Sequence, residues 1–274
     1  MSAAAFSLAL GSAFLHALWN LLLARERDPE AATAVAICAS VLLFAPVAAA
    51  LWDVDSRVWP FLAATSVLQL VYFTLLATAY RRAELSFVYP IARGLAPVLV
   101  LVVGVLALGV GASVAQAVGV SLVGLGVLLV RGLGTERDLV GGMLAVAIAA
   151  SIAAYTLVDN SGIQYANPIV YLELGMAPVA LAAILLVALL PDGATRLRAA
   201  VRPTPAFAGV ASFVAYVLVL AALARAPAAS VAAVRETSVL IVAALAAPML
   251  GERVGPLRLA GAALVVGGIA LLVL

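Results

Sequence analysis

Residues 93–129 read RGLAPVLVLVVGVLALGVGASVAQAVGVSLVGLGVLL, and residues 235–271 read RETSVLIVAALAAPMLGERVGPLRLAGAALVVGGIAL. The first stretch carries one charge, Arg93, and breaks only at Gly109-Val110-Gly111. The apolar runs on either side of that break are each about the 20 residues a helix needs to cross hydrocarbon. They do not alternate apolar and polar, as the strands of a membrane barrel would. Backbone groups in hydrocarbon must be satisfied within their own segment, so the runs are read as helices.

The rest of the chain follows the same pattern. Of 274 residues, 66% are hydrophobic and 10% charged, with a mean hydropathy of +1.24. A soluble domain carries about 25% charged residues. Apolar runs are expected to span 4–23, 31–51, 59–80, 86–108, 113–131, 139–158, 168–190, 205–224, 229–250 and 256–274. Asp159 is placed at the end of the sixth. The longest loop is expected at 191–204. The fold class is thus an all-α membrane protein of about ten transmembrane helices.

The two quoted stretches are offset by 142 residues and agree at nine positions. Matches of Leu and Val mean little in this composition. Arg93/Arg235 and the glycine pairs 109/251, 119/261 and 126/268 mean more. Five spans per half is an odd number, so the second half enters from the opposite side. That predicts two inverted five-helix repeats, 1–132 and 139–274, around a central cavity. Loops after odd-numbered spans hold Arg25, Arg27, Arg81, Arg82, Arg131, Arg137, Arg196, Arg198, Arg202, Arg253 and Arg258. Those after even-numbered spans hold Arg57 and Arg225. The positive-inside rule puts the first group in the cytoplasm and both termini outside.

All 15 basic residues are Arg and the net charge is +2, too small for a nucleic-acid surface. The Ala- and Arg-rich, Lys-free composition suggests a GC-rich genome and a bacterial inner membrane. One cysteine, Cys38, rules out an intramolecular disulfide and a Cys metal cluster. Residues 1–23 lack a basic start and are read as a permanent span. No cofactor or metal is expected. The partners expected are a small-molecule substrate and membrane lipid. The chain is read as a monomer, with a homodimer left open.

An ionisable group within a span costs about 2.5–3.5 kcal/mol on the insertion scale, so each needs a reason. Arg93 and Arg235 fall about 9–10 Å into their spans from opposite faces. Their roots would then lie about 10 Å apart in height, astride the midplane. A guanidinium fork suits a carboxylate or phosphate. The competing reading is a structural ion pair, although Glu236, next to Arg235, points about 100° away on the same helix. His16, Trp19 and Asn20 share one helix face. His16 is a candidate proton site. Trp19 also reads as an interfacial residue and Asn20 as an interhelical bond. Tyr72 with Gln69, Tyr155, and Tyr216 with Ser212 are candidate cavity walls. Tyr89, four residues before Arg93, could orient its fork. Glu236 and Asp159 are candidates for ion coupling, with Asp159 also read as a solvated end residue, and Glu173 carries the same ambiguity. Pro90, Pro97, Pro178 and Pro248 can kink their helices. The glycines of the fifth and tenth spans permit close approach.

The chain resembles the EamA-domain branch of the drug/metabolite transporter superfamily along its whole length. The resemblance rests on His16-Ala17-Leu18-Trp19-Asn20, on Tyr89-Pro90-Ile91-Ala92-Arg93-Gly94 with Pro97, and on Tyr155-Thr156-Leu157-Val158-Asp159. It rests also on Gly251-Glu252 and on the layout of five helices twice. It implies secondary transport of small metabolites, often export, through a central cavity by alternating access. The first half has Gly109-Val110 where the second has Gly251-Glu252, so Glu252 reads as the cap of a cytoplasmic turn.

The leading function is therefore a secondary transporter, an exporter of a small organic metabolite such as an amino acid or other carboxylate. The alternatives are a cation or drug exporter using Glu236 or Glu173, and a lipid-carrier flippase. A membrane enzyme is disfavoured, because Gly-x-Ser-x-Gly and His-x-x-x-His are missing and one His and one Cys give few nucleophile–base pairs.

Overall fold

The computed structural model describes residues 1–23, 25–82, 85–131, 139–241, 244 and 256–273; the side chains of 77, 80–82, 85–87, 89, 90, 131, 258 and 273 lie outside it. The Tyr89 side chain, the segment 132–138, Pro248 and the Gly251-Glu252 turn are therefore outside the described residues. The described helices are α1 (Ala3–Leu23), α2 (Pro29–Ala50), α3 (Trp59–Arg82), α4 (Leu85–Leu106), α5 (Val114–Arg131) and α6 (Leu139–Gly162). They continue with α7 (Pro168–Ala188), α8 (Gly193–Ala200), α9 (Pro203–Leu223), α10 (Ala228–Arg235) and α11 (Pro256–Val273). The only pairing outside helices among the described residues is an isolated antiparallel bridge between Val54 and Ala166.

Among the described residues, six helical stretches are long and apolar enough to cross a membrane: α1, α2, α7, α9, α3 with the turn before it, and α6 with the turn after it. Ile91–Leu106, Val114–Leu129 and Leu259–Leu272 are apolar but shorter. Large apolar side chains cover the outside: Leu42 is 70% exposed, Leu106 81% and Leu139 82%. The interior is instead rich in alanine. Such a surface is suited to lipid rather than water.

Three boundaries differ from the sequence reading. The loop expected at 191–204 contains α8, which carries Arg196 and Arg198. The sixth helix runs past 158 to Gly162, which puts Asp159 inside it. The ninth span is interrupted: α10 ends at Arg235, Glu236 caps it, and helix resumes over 237–241.

Helix starts follow local chemistry. α2 opens on Asp28-Pro29, and the Asp28 carboxylate accepts from the Ala31 N–H at 3.1 Å. α7 opens on Asn167-Pro168, and the Asn167 side chain accepts from the Ile169 N–H at 2.9 Å. Both use a side-chain acceptor for an orphan N–H and a proline where no donor is needed. These are the second helices of the two halves.

The halves pack by exchange. α1 lies on α9, as its counterpart α6 lies on α3; α4 lies on α6, as α10 lies on α1. Ala5, Ala9, Ala13 and Ala17 form a buried stripe along α1, and α9 is its main neighbour. Small residues let backbones approach closely. The counterpart helices α5 and α11 meet directly. A Cβ on Gly119 would stand 2.8 Å from the Gly268 carbonyl, and one on Gly126 would stand 2.6 Å from that of Gly261. As one number rises the other falls, so the two helices run antiparallel.

Two ends of the bundle are defined by contacts between loops. At one, Arg196 donates to Asp28 at 2.6 and 2.9 Å and to Glu30 at 3.1 Å, and Arg202 pairs with Glu26. The hydrogen bond from Arg196 is the main reason the Asp28 carboxyl is held below its usual range, and Asp28 and Glu30 in turn push the guanidinium up. At the other, the Asp55 N–H donates to the Tyr165 carbonyl and the Asn167 N–H to the Asp53 carbonyl. There Arg57 sits over the Tyr165 ring and holds Asp55 at about 2 through hydrogen bonds.

Candidate functional site

Between these ends the polar side chains of both halves meet in a buried cluster. Arg93 on α4 and Arg235 at the end of α10 are 4% and 5% exposed. Arg93 reaches across to Glu236 of the second half at 3.3 Å and also contacts His16 Nε2 on α1. A guanidinium only donates, so the His16 ring accepts there. This is the structural ion pair of the competing reading, but its acid serves the other half's arginine. Glu236 projects toward Arg93 because the helix breaks at that residue, a bend that spacing within a continuous helix does not anticipate.

Arg235 is placed differently. Its Nε is buried without a hydrogen-bond partner among the described residues. Its guanidinium carbon lies 6.0 Å from the centre of the Tyr216 ring on α9. That contact is a cation–π interaction, made through the face of the fork. Arg93 and Arg235 are near enough to act on each other's charge and on His16.

The tyrosines connect this cluster to Asp159. Tyr72, Tyr155 and Tyr216 stand edge to face, with ring centres 6.0 Å and 6.2 Å apart. The Tyr216 hydroxyl donates to Asp159 at 2.5 Å and the Tyr171 hydroxyl at 2.9 Å. Thr65 on α3 lines the same small cavity as the carboxylate. The solvated end residue of the alternative reading is thus corrected: Asp159 is 0% exposed. It sits within α6 and faces hydroxyls from α3, α7 and α9. A small cavity with room for about one water molecule lies against it, lined in part by Thr65, Gln69, Tyr171 and Tyr216.

Two candidates stand apart from the cluster. Asn20 donates to the His16 carbonyl of its own helix at 2.7 Å, a local bond rather than an interhelical one. Trp19 packs with Leu23, Ala32, Ala36 and Ala208 and presents its ring to His16 at 4.9 Å. It is therefore packed between helices and not at an interface with water. Glu173 is 7% exposed, with Oε2 lacking a partner among the described residues. Among them, no group of three or more His, Cys, Asp or Glu stands close enough to hold a metal ion.

Tyr171 and Thr65 escaped the sequence reading. A buried acid needs donors, and Tyr171 lies one hairpin beyond Asp159, so the signal existed once Asp159 was taken as buried. Thr65 had none, since it comes from the other half.

A family model described as "EamA-like transporter family" matches residues 3–132 and 139–274. No curated protein matches the chain. Among solved structures 25 chains match. One of them, described as "Crystal structure of protein", shares a TM-score of 0.73 at 16% identity, covering 98% of this chain and 95% of that one. At that identity the likeness concerns the fold alone.

Proposed function

This chain belongs to the EamA-like transporter family, and from that membership we propose that it is a secondary transporter, an exporter, of a small organic anion such as an amino acid or another carboxylate. It works by alternating access between two inverted five-helix halves about a central cavity in the bacterial inner membrane. The observation that carries the reading is Arg235: a buried guanidinium whose Nε has no partner among the described residues. A buried cation with an unsatisfied donor is costly, and a substrate carboxylate would supply both charge and an acceptor. Tyr216 holds the fork's face, and the Arg93–Glu236 pair walls the cluster beside it. The antiparallel packing of α5 on α11 supports the inverted arrangement.

The test is uptake of a radiolabelled amino-acid mixture into proteoliposomes. Arg235→Ala is expected to slow it at least about 10-fold, the factor that about 1.4 kcal/mol of lost binding gives. Arg93→Ala is expected to slow it as well. Wild-type rates in both variants sink the anion site. If those rates persist while Glu173→Gln abolishes proton-driven export of an organic cation, the assignment passes to a cation or drug exporter. That second reading leans on the unpartnered Glu173 Oε2.

A further inference from the structure

The cluster holds two buried charges that do not touch. Arg93 is paired with Glu236, Arg235 lies 6.0 Å from the centre of the Tyr216 ring, and Asp159 accepts from the hydroxyl of that ring at 2.5 Å. Asp159 accepts from two hydroxyls, those of Tyr216 and Tyr171, and Thr65 lines the same cavity. Hydroxyl dipoles stabilise a carboxylate but do not cancel its charge, and a buried charge is normally neutralised by a partner, a metal ion or a proton. No basic group among the described residues is hydrogen-bonded to the acid, and a cavity with room for about one water molecule, lined also by Thr65 and Gln69, borders it.

We propose that Asp159, with the hydroxyls of Thr65, Tyr171 and Tyr216, is the binding site for the small monovalent cation, a proton or sodium, whose gradient drives transport. The inference rests on the anion-transporter reading and deepens it. While the anion site is empty, Arg235 balances Asp159 through the Tyr216 ring. A carboxylate arriving at Arg235 takes that positive charge for itself. Asp159 is then left unbalanced and takes up a cation. Loading of one site therefore favours loading of the other, and the coupling is reciprocal.

The polar and charged groups on the elements around Asp159 are consistent with such a site. α3 presents only neutral Thr65, Gln69 and Tyr72. α6 itself adds Tyr155; α7 adds Tyr171 and, on its next residue but one, Glu173; α9 adds Tyr216. Arg93 comes from α4, Arg235 and Glu236 from α10 and its cap, and Tyr165 from the short turn after α6. Among these described residues, none places a basic group in hydrogen-bonding contact with Asp159.

Thermal unfolding of the purified protein without any solute tests the site apart from the anion reading. Two arms are run: sodium chloride replacing choline chloride at constant ionic strength, and choline buffer taken from mildly alkaline to mildly acidic. One cation is expected to raise the melting temperature by about 2–4 °C, and the arm that responds identifies it. Asp159→Asn, which keeps the shape and removes the charge, is expected to abolish the rise. Arg235→Gln, which removes the distant counter-charge, is expected to lower the cation concentration for half the response several-fold. If Asp159→Asn does not fold, Tyr171→Phe keeps the acid and removes one donor, and it must change the size of the response. The proposal is overturned if neither cation raises the melting temperature, if the rise survives in Asp159→Asn, or if Arg235→Gln or Tyr171→Phe responds as the wild type does. Loss of the cation response with anion uptake intact would sink this inference alone.

Discussion

At the scale of single residues, the two arginines offered as a matched pair have different surroundings. Arg93 is half of a buried ion pair, and removing it leaves the Glu236 carboxylate buried and unpaired, which costs about 3–5 kcal/mol. Arg235 is held by the face of a ring and makes no ion-pair contact with an acid among the described residues, so replacing it with an apolar group of similar length removes only the more remote balance to Asp159. Arg93→Met should therefore lower the melting temperature in detergent markedly, and Arg235→Met should lower it far less. The double variant Arg93→Met with Glu236→Met should recover most of the loss, since replacing both members of a buried pair is often neutral. Equal destabilisation by the two single variants would contradict this division of roles.

At the scale of elements, the two halves are tied by chain ends as well as by helix faces. The Asp28 carboxylate does two jobs: it caps α2 and pairs with Arg196 from α8. Asn is as good a cap as Asp, so Asp28→Asn isolates the ion pair. A carboxyl whose folded value lies below its unfolded one contributes stability that is present above the unfolded value, near 3.8, and lost as pH falls through the folded one. The melting temperature of the wild type should thus exceed that of Asp28→Asn at neutral pH, and the gap should close below about pH 4. A gap that persists in acid would mean the asparagine disturbs the helix start rather than the pairing.

At the scale of the whole molecule, the described arginines of α8 and of the turn after it lie at one end. Arg196 and Arg202 meet Glu26, Asp28 and Glu30 there, and Arg57 sits at the opposite end beside Tyr165. The positive-inside rule then gives the orientation. In a background where Cys38 is replaced by Ala, the exposed positions Arg57 and Arg198 can each carry a single cysteine. On intact cells stripped of their outer membrane, Arg57→Cys should react with an impermeant maleimide. Arg198→Cys should react only after the membrane is opened. The opposite pattern would reverse the orientation, and labelling of both from one side would contradict a bundle whose ends face different compartments.

The sequence alone carried the membrane fold, the placement of most helices, the internal repeat and the family. Each is written locally: apolar length sets a span, Asx-Pro and Gly mark its ends, and the registered Arg and Gly survive comparison of one half with the other. It carried the membership of the central cluster in part, because an ionisable residue inside an apolar run is conspicuous wherever it occurs. Pairing was left to the tertiary structure. Glu236 serves Arg93, Asp159 is bound by Tyr171 and Tyr216, and Asn20 turns back on its own helix. These outcomes depend on where α10 breaks, on how far α6 continues, and on which helices of opposite halves touch. A hydrogen bond is made over about 3 Å, and no spacing along the chain fixes a distance that short between segments up to 143 residues apart.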